Sequence, residues 1–140
     1  MTKTIETFAY GRDVTTTLTF DSAIETAKRF LKDEGFGVLS EIDVTATMKE
    51  KLGASFRPYR ILGACNPTLA HRALMAEPQI GLLLPCNLVV QELNGKTHVS
   101  VVDANAMLGV VGQAELSSVA RDANDRLGRV LERISGEGVS

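Results

Sequence analysis

The sequence predicts a single α+β domain over residues 1–140, with a mixed or antiparallel sheet of about five or six strands packed against helices. Three observations predict it. First, 44% of the 140 residues are hydrophobic and 23% charged, ordinary usage for a chain that buries one core without disulfides or metals. Second, Asn94-Gly95 lies between two alternating apolar runs, the strongest short-range signal for a β-hairpin. Third, β-branched runs and helical apolar stripes follow one another in the order β-β-α-β-α-β-α-β-β-α. Strict βαβ alternation fails at both ends of that order, which disfavours a doubly wound parallel sheet.

The first strand is placed at Thr4 to Tyr10, followed by a turn at Gly11-Arg12-Asp13 and a second strand over Thr15 to Phe20. Ser22 and Glu25 have capping-box spacing and open a helix whose apolar face is Ala23, Ala27, Phe30 and Leu31. Gly35 is its left-handed stop. Gly37 to Ile42 reads as a third strand, and Asp43 caps a short helix carrying Val44, Met48 and Leu52, ended by Gly53. Tyr59 to Ala64 is a fourth strand that runs into Cys65. Asn66-Pro67 then starts a helix with the stripe Leu69, Ala70, Ala73 and Leu74, because Asn caps well and Pro suits the first helical position. A type I′ turn at Asn94-Gly95 pairs Leu93 with Lys96, Val90 with Val99 and Leu88 with Val101, and would set Cys86 opposite Asp103 if the strands reach that far. Ala104 to Gly112 reads as irregular. A long amphipathic helix over about 114–135 closes the chain on Leu116, Val119, Ala120, Ala123, Leu127, Val130, Leu131 and Ile134.

Charge and composition exclude several function classes. The formal net charge of -2 supplies no basic excess for phosphate neutralisation, so nucleic acid is not the expected partner. Aromatics are 5% and Trp is absent, which leaves little for a base-stacking platform. The longest apolar run, around Ile80 to Leu84, is far below the roughly 20 residues of a membrane span. Met1-Thr2-Lys3-Thr4-Ile5-Glu6 has no apolar signal stretch. The expected location is therefore the cytoplasm, with both cysteines reduced.

Three segments carry a family resemblance: Gly35-Phe36-Gly37-Val38-Leu39, Ile61-Leu62-Gly63-Ala64-Cys65-Asn66-Pro67, and Ile80-Gly81-Leu82-Leu83-Leu84-Pro85-Cys86-Asn87. In motif, order and spacing they resemble the signature segments of the family called domain of unknown function 302, over about Phe8 to Leu108. The resemblance implies a small α+β fold and a homodimer, and no established activity. The helix beyond Gly112 stands outside the short pattern of that family.

No complete catalytic constellation is present, and the expected function is non-enzymatic binding or sensing of a small ligand, an anion or a soft metal. Cys65 sits between a strand and a helix N-terminus, where amide donors and the helix dipole favour a thiolate; the plainer reading, which burial statistics favour, is a small buried residue at a tight junction. Cys86 follows Pro85 and starts a strand, as a pocket thiol or a core residue. If the two strand ends share an edge, Cys65 and Cys86 would line one pocket with Asn66, Asn87, Asp103 and His71. Two thiols suit a soft ion such as Cu(I), but no Cys-x-x-Cys or His-x-x-x-His pair supports a structural zinc site. The metal and any cofactor are left unassigned. The alternatives are a thiol redox or sulfur-transfer enzyme with Cys65 as nucleophile, and a purely structural interaction module. Arg57, Arg60 and Arg72 would form an anion rim if they converge. Gly35-Phe36-Gly37 follows a helix and lacks the Lys-Ser/Thr ending, so it is a helix stop and not a phosphate loop.

Overall fold

A computed structural model describes residues 5–137. The strands are β1 (Glu6–Phe8), β2 (Gly11–Thr16), β3 (Gly37–Asp43), β4 (Tyr59–Cys65), β5 (Cys86–Leu93) and β6 (Lys96–Val102). The helices are α1 (Phe20–Asp33), α2 (Val44–Leu52), α3 (Pro67–Ala76), α4 (Ala104–Gly109) and α5 (Ala114–Gly136), with a 3-10 turn over Pro78–Leu83. All six strands form one antiparallel sheet in the order β1-β2-β6-β5-β4-β3. The α+β class and the order of main elements agree with the sequence reading.

The local signals explain most elements. Asn94 and Gly95 both take positive φ, 54° and 77°, as a type I′ turn requires, and the predicted pairs Leu93–Lys96, Val90–Val99 and Leu88–Val101 form. Asp43 Oδ1 accepts from the Ala46 amide at 2.9 Å and caps α2. Gly35 (φ 86°) follows the end of α1, and Gly53 (φ 63°) ends α2.

The structure corrects four local expectations. The expected strand from Thr4 starts outside the described residues; within them β1 begins at Glu6 and the hairpin turn is Ala9-Tyr10, not Gly11 to Asp13. Gly11 is a strand residue with a packing role: a Cβ there would lie 2.9 Å from the Val101 carbonyl oxygen and 3.0 Å from the Phe8 ring. The second strand ends at Thr16, and Phe20 opens α1 instead of closing a strand. The cap of α1 is Thr19, whose hydroxyl accepts from the Ser22 amide at 3.1 Å, so Ser22 is inside the helix. Ala104 to Gly112 is not wholly irregular, because Asp103 caps α4 by accepting from the Ala106 amide at 3.0 Å.

Period-2 alternation divides the sheet into two faces. Val14, Leu62, Ala64, Cys86, Leu88, Val90, Val99 and Val101 are buried under the helices. Every residue of the predicted α5 stripe is buried, as are Ala23, Ala27, Phe30 and Leu31 of α1. Asn124 of α5 ties the layers together: its Oδ1 accepts from Arg12 of β2 at 3.1 Å and from the Ala104 amide at 2.9 Å. In α2, by contrast, no residue is buried, although Val44, Met48 and Leu52 make an apolar stripe.

Candidate functional site

The site is built at one end of the central strands. The β4–β5 register sets Ala64 opposite Cys86, and β4 ends one residue later at Cys65. Asn66 then caps α3, accepting from the Leu69 amide at 3.2 Å through Oδ1 and from the Ala70 amide at 2.8 Å through its carbonyl oxygen. After α3 the 3-10 turn and Pro85 bring the chain back into β5 at Cys86. These segments enclose a cavity of about 280 Å³, with α3 on one side and Val119 and Ala123 of α5 closing it from another. Phe36, Leu39, Leu69, Ala73, Leu84 and Pro85 contribute to the wall.

Cys65, Cys86 and Asn66 all line this cavity. The other three expected residues do not. Asn87 lies one residue past Cys86 and therefore points to the opposite face of the sheet, where it lines a groove with Tyr10, Tyr59 and Gln91. His71 is exposed on α3. Asp103 never faces Cys86, because β6 ends at Val102 and Asp103 turns away: its amide donates to the Tyr10 carbonyl at 2.9 Å and its carboxylate caps α4.

The wall has no charged side chain, and its one amide side chain, Asn66, is committed to the helix cap. That apolar setting determines the thiols. Burial raises the pKa of Cys65, and burial together with nearby Cys65 pushes Cys86 up to about 11. Both effects oppose the thiolate activation that the helix start could have provided. Asn66, not Cys65, occupies the capping position, so the helix-end amides of Leu69 and Ala70 are used within the fold. Replacing Asn66 by Ala should therefore cost roughly 1 kcal/mol of stability from the lost cap. Urea titration of the variant measures this, and an unchanged midpoint would refute the assigned cap.

The three arginines do not converge. Arg57 donates from Nε to Gln91 at 2.8 Å and stacks on Phe56. Arg60 pairs with Glu41 and Asp43, and Arg72 with Glu115. Glu41 sits across β3–β4 from buried Leu62 and lies 2.8 Å from Lys28 of α1. The Lys28 hydrogen bond is the main reason its carboxyl stays below the usual carboxylate range. Among the described residues no three His, Cys, Asp or Glu side chains gather as a metal cluster. No helix of these residues is long and apolar enough to cross a membrane.

The fold and site define a one-sided antiparallel α+β domain with an apolar, thiol-bearing cavity at the strand ends. The model of the family Domain of unknown function DUF302 matches residues 12–134, and the chain belongs to that family. The match runs through nearly all of α5, so the C-terminal helix belongs to the family fold and is not an addition to it. The chain is similar to an uncharacterized conserved DUF302 protein from Bacillus stearothermophilus, known from its crystal structure, at 35% identity and a TM-score of 0.83. That similarity covers 89% of this chain and 97% of the other. Comparison with curated proteins finds no match.

Proposed function

We propose that this protein is a non-enzymatic binding or sensing domain that takes a small, uncharged, apolar ligand in the cavity at Cys65 and Cys86. One observation carries the reading: the cavity wall contains no charged residue, and all three motif segments contribute to it beside the helices, Phe36 and Leu39 from the first, Cys65 and Asn66 from the second, Pro85 and Cys86 from the third. Ligand sites are concave and mostly apolar with a few polar groups, and about 300 Å³ is the lower end of their usual size. An anion would lose its hydration there and find no compensating partner. The thiols, kept protonated by burial, act as polarizable wall atoms. Two unpaired thiols fit a reducing compartment, which supports a cytoplasmic location.

A neutral apolar dye such as N-phenyl-1-naphthylamine tests this, and the absence of Trp keeps the background low. Saturable enhancement is expected with the native protein. Ala70→Phe, which fills the cavity from α3, should weaken it at least tenfold, while Cys65→Ala should retain it. Dye binding indifferent to Ala70→Phe would remove the reading. A thiol redox or sulfur-transfer role for Cys65 is the second reading, favoured by its partial exposure on the same cavity wall as Cys86. It predicts turnover lost in Cys65→Ser.

A further inference from the structure

We propose that the cavity at Cys65 and Cys86 takes the free, unbranched alkyl chain of a small neutral amphiphile, entering tail first. The inference rests on the reading of this cavity as an apolar ligand site, and it names the class of molecule that fits. The cavity has a closed end and an open one. Leu108 of α4 and Val119 and Ala123 of α5 line it, and all three are buried. Leu39 of β3 and Leu74 of α3 line it too, yet they are 72% and 46% exposed. A wall that passes from buried to exposed residues is a blind slot with its mouth at Leu39 and Leu74. Local structure accounts for the opening. The register shift between Val38 and Ser40 leaves Leu39 outside the β3–β4 ladder. Along α3 the slot is flanked by Ala70 and Ala73, where larger side chains would fill it.

Shape and wall chemistry select a chain over other apolar molecules. Leu39 on β3 and Cys86 on β5 are two strand spacings apart, about 10 Å. A volume of about 280 Å³ drawn out over about 10 Å leaves a width of about 5 Å, so the slot is longer than it is wide. At roughly 30 Å³ per water-sized group, it holds a chain of about nine carbons. Phe36 is the one aromatic ring in the wall, so a flat aromatic ligand finds no pair of faces to lie between. The Asn66 side-chain oxygen is committed to the α3 cap, so a polar group on the ligand gains least inside and stays in water at the mouth. A molecule apolar at one end and hydrated at the other therefore suits both ends of the slot. Met75 and Leu82, next in sequence to the wall residues Leu74 and Gly81, are exposed and extend the apolar surface beyond the mouth. These few side chains are too small a patch to hold the protein on a bilayer, and the net charge of -2 adds no attraction to anionic lipid, so the chain is taken free.

The test is displacement of the bound neutral dye by straight-chain 1-alkanols, from butanol to dodecanol, in the native protein and in Ala123→Leu. Each methylene taken into the slot should tighten binding about fourfold, up to a limit near nine carbons beyond which the gain stops. Ala123→Leu fills the closed end and should bring that limit about two carbons shorter, with the gain per methylene below it unchanged. The native series decides the matter even if Ala123→Leu fails to fold. Saturable dye binding with alkanol affinities flat in chain length would overturn the chain assignment and leave the apolar site standing. A limit unmoved in folded Ala123→Leu would do the same. Absence of saturable dye binding would remove the site and the chain together. Flotation with neutral phosphatidylcholine vesicles separates the two sources of a chain: the protein should stay behind in the aqueous phase, and protein that floats with the vesicles would overturn the free-chain assignment.

Discussion

Gly63→Val should destabilise the protein by about 3 kcal/mol or more, with Gly63→Ala losing about 1–3 kcal/mol, the cost of overpacking a filled site. Strand interiors ordinarily gain from replacing Gly, since Ala is favoured by roughly 0.5–1 kcal/mol on backbone entropy alone. Position 63 reverses that sign. A Cβ there would sit 2.2 Å from Ser40 Oγ and 2.8 Å from Pro85 Cγ. The serine hydroxyl can rotate away. The proline ring can move only with the segment that delivers Cys86 into β5. Ser40 is also fixed in place, because β3 pairs Ser40 with Gly63 immediately after the register shift at Leu39. Urea unfolding of Gly63→Ala, Gly63→Val and the pair Ser40→Gly with Gly63→Ala separates the contacts: the double variant should recover only the serine part. A Gly63→Val midpoint equal to that of the native protein would refute the close approach. The same displacement should reshape the cavity, since Pro85 lines it.

Gly63 also indicates where sequence reading succeeds and where it stops. Signals that close within a few residues are legible. Asn94-Gly95 determines a turn and hence a register, Asp43 and Asn66 determine two caps, and the α5 stripe determines a buried helix face. Ambiguity arises where one residue type serves two physical ends. Gly11 reads as a turn, whereas its missing side chain accommodates Phe8 and the Val101 carbonyl. Thr19 and Ser22 are both good caps, and the choice depends on where β2 leaves its ladder with β6, a tertiary matter. Asp103 reads as the end of a strand because its capping of α4 spans three residues with no apolar period to reveal it.

At the site, Cys65, Asn66 and Cys86 are legible because motif segments carry them. Asn87 does not belong with Cys86, since strand alternation sends adjacent side chains to opposite faces, a signal present in the sequence itself. Phe36, Val119 and Ala123 could not be placed in the wall from spacing, because helix and sheet meet there only through packing between segments distant in the chain. The thiol chemistry shows the same limit. A cysteine before a helix suggests activation from local sequence, while the deciding quantity is the apolar shell contributed by α3 and α5.

That shell makes Cys86 measurably inert. Alkylation proceeds through the thiolate, so its rate follows the share of thiol that is ionised at a given pH. With Cys86 pushed up from 9.0 to about 11, the thiolate fraction near neutral pH falls by on the order of a hundredfold, before access is considered. Iodoacetamide labelling resolved by peptide mass spectrometry should therefore rank free cysteine first, half-exposed Cys65 next and Cys86 last. The raised pKa also has a stability consequence with a definite sign. Between about pH 9, the ordinary thiol value, and about pH 11 the folded state holds a proton that the unfolded state has released. Stability then falls as pH rises, by up to about 2–3 kcal/mol across the window, because a tenfold change in proton affinity corresponds to about 1.4 kcal/mol. Below pH 9 both states are protonated and the contribution is fully present. Cys86→Ala carries a pH-independent cavity cost but should lose this alkaline slope. Rapid labelling of native Cys86, or the same slope in Cys86→Ala, would mean that the thiol is hydrated and ionisable, and the cavity would then have to be read as a reactive thiol site instead of an apolar one.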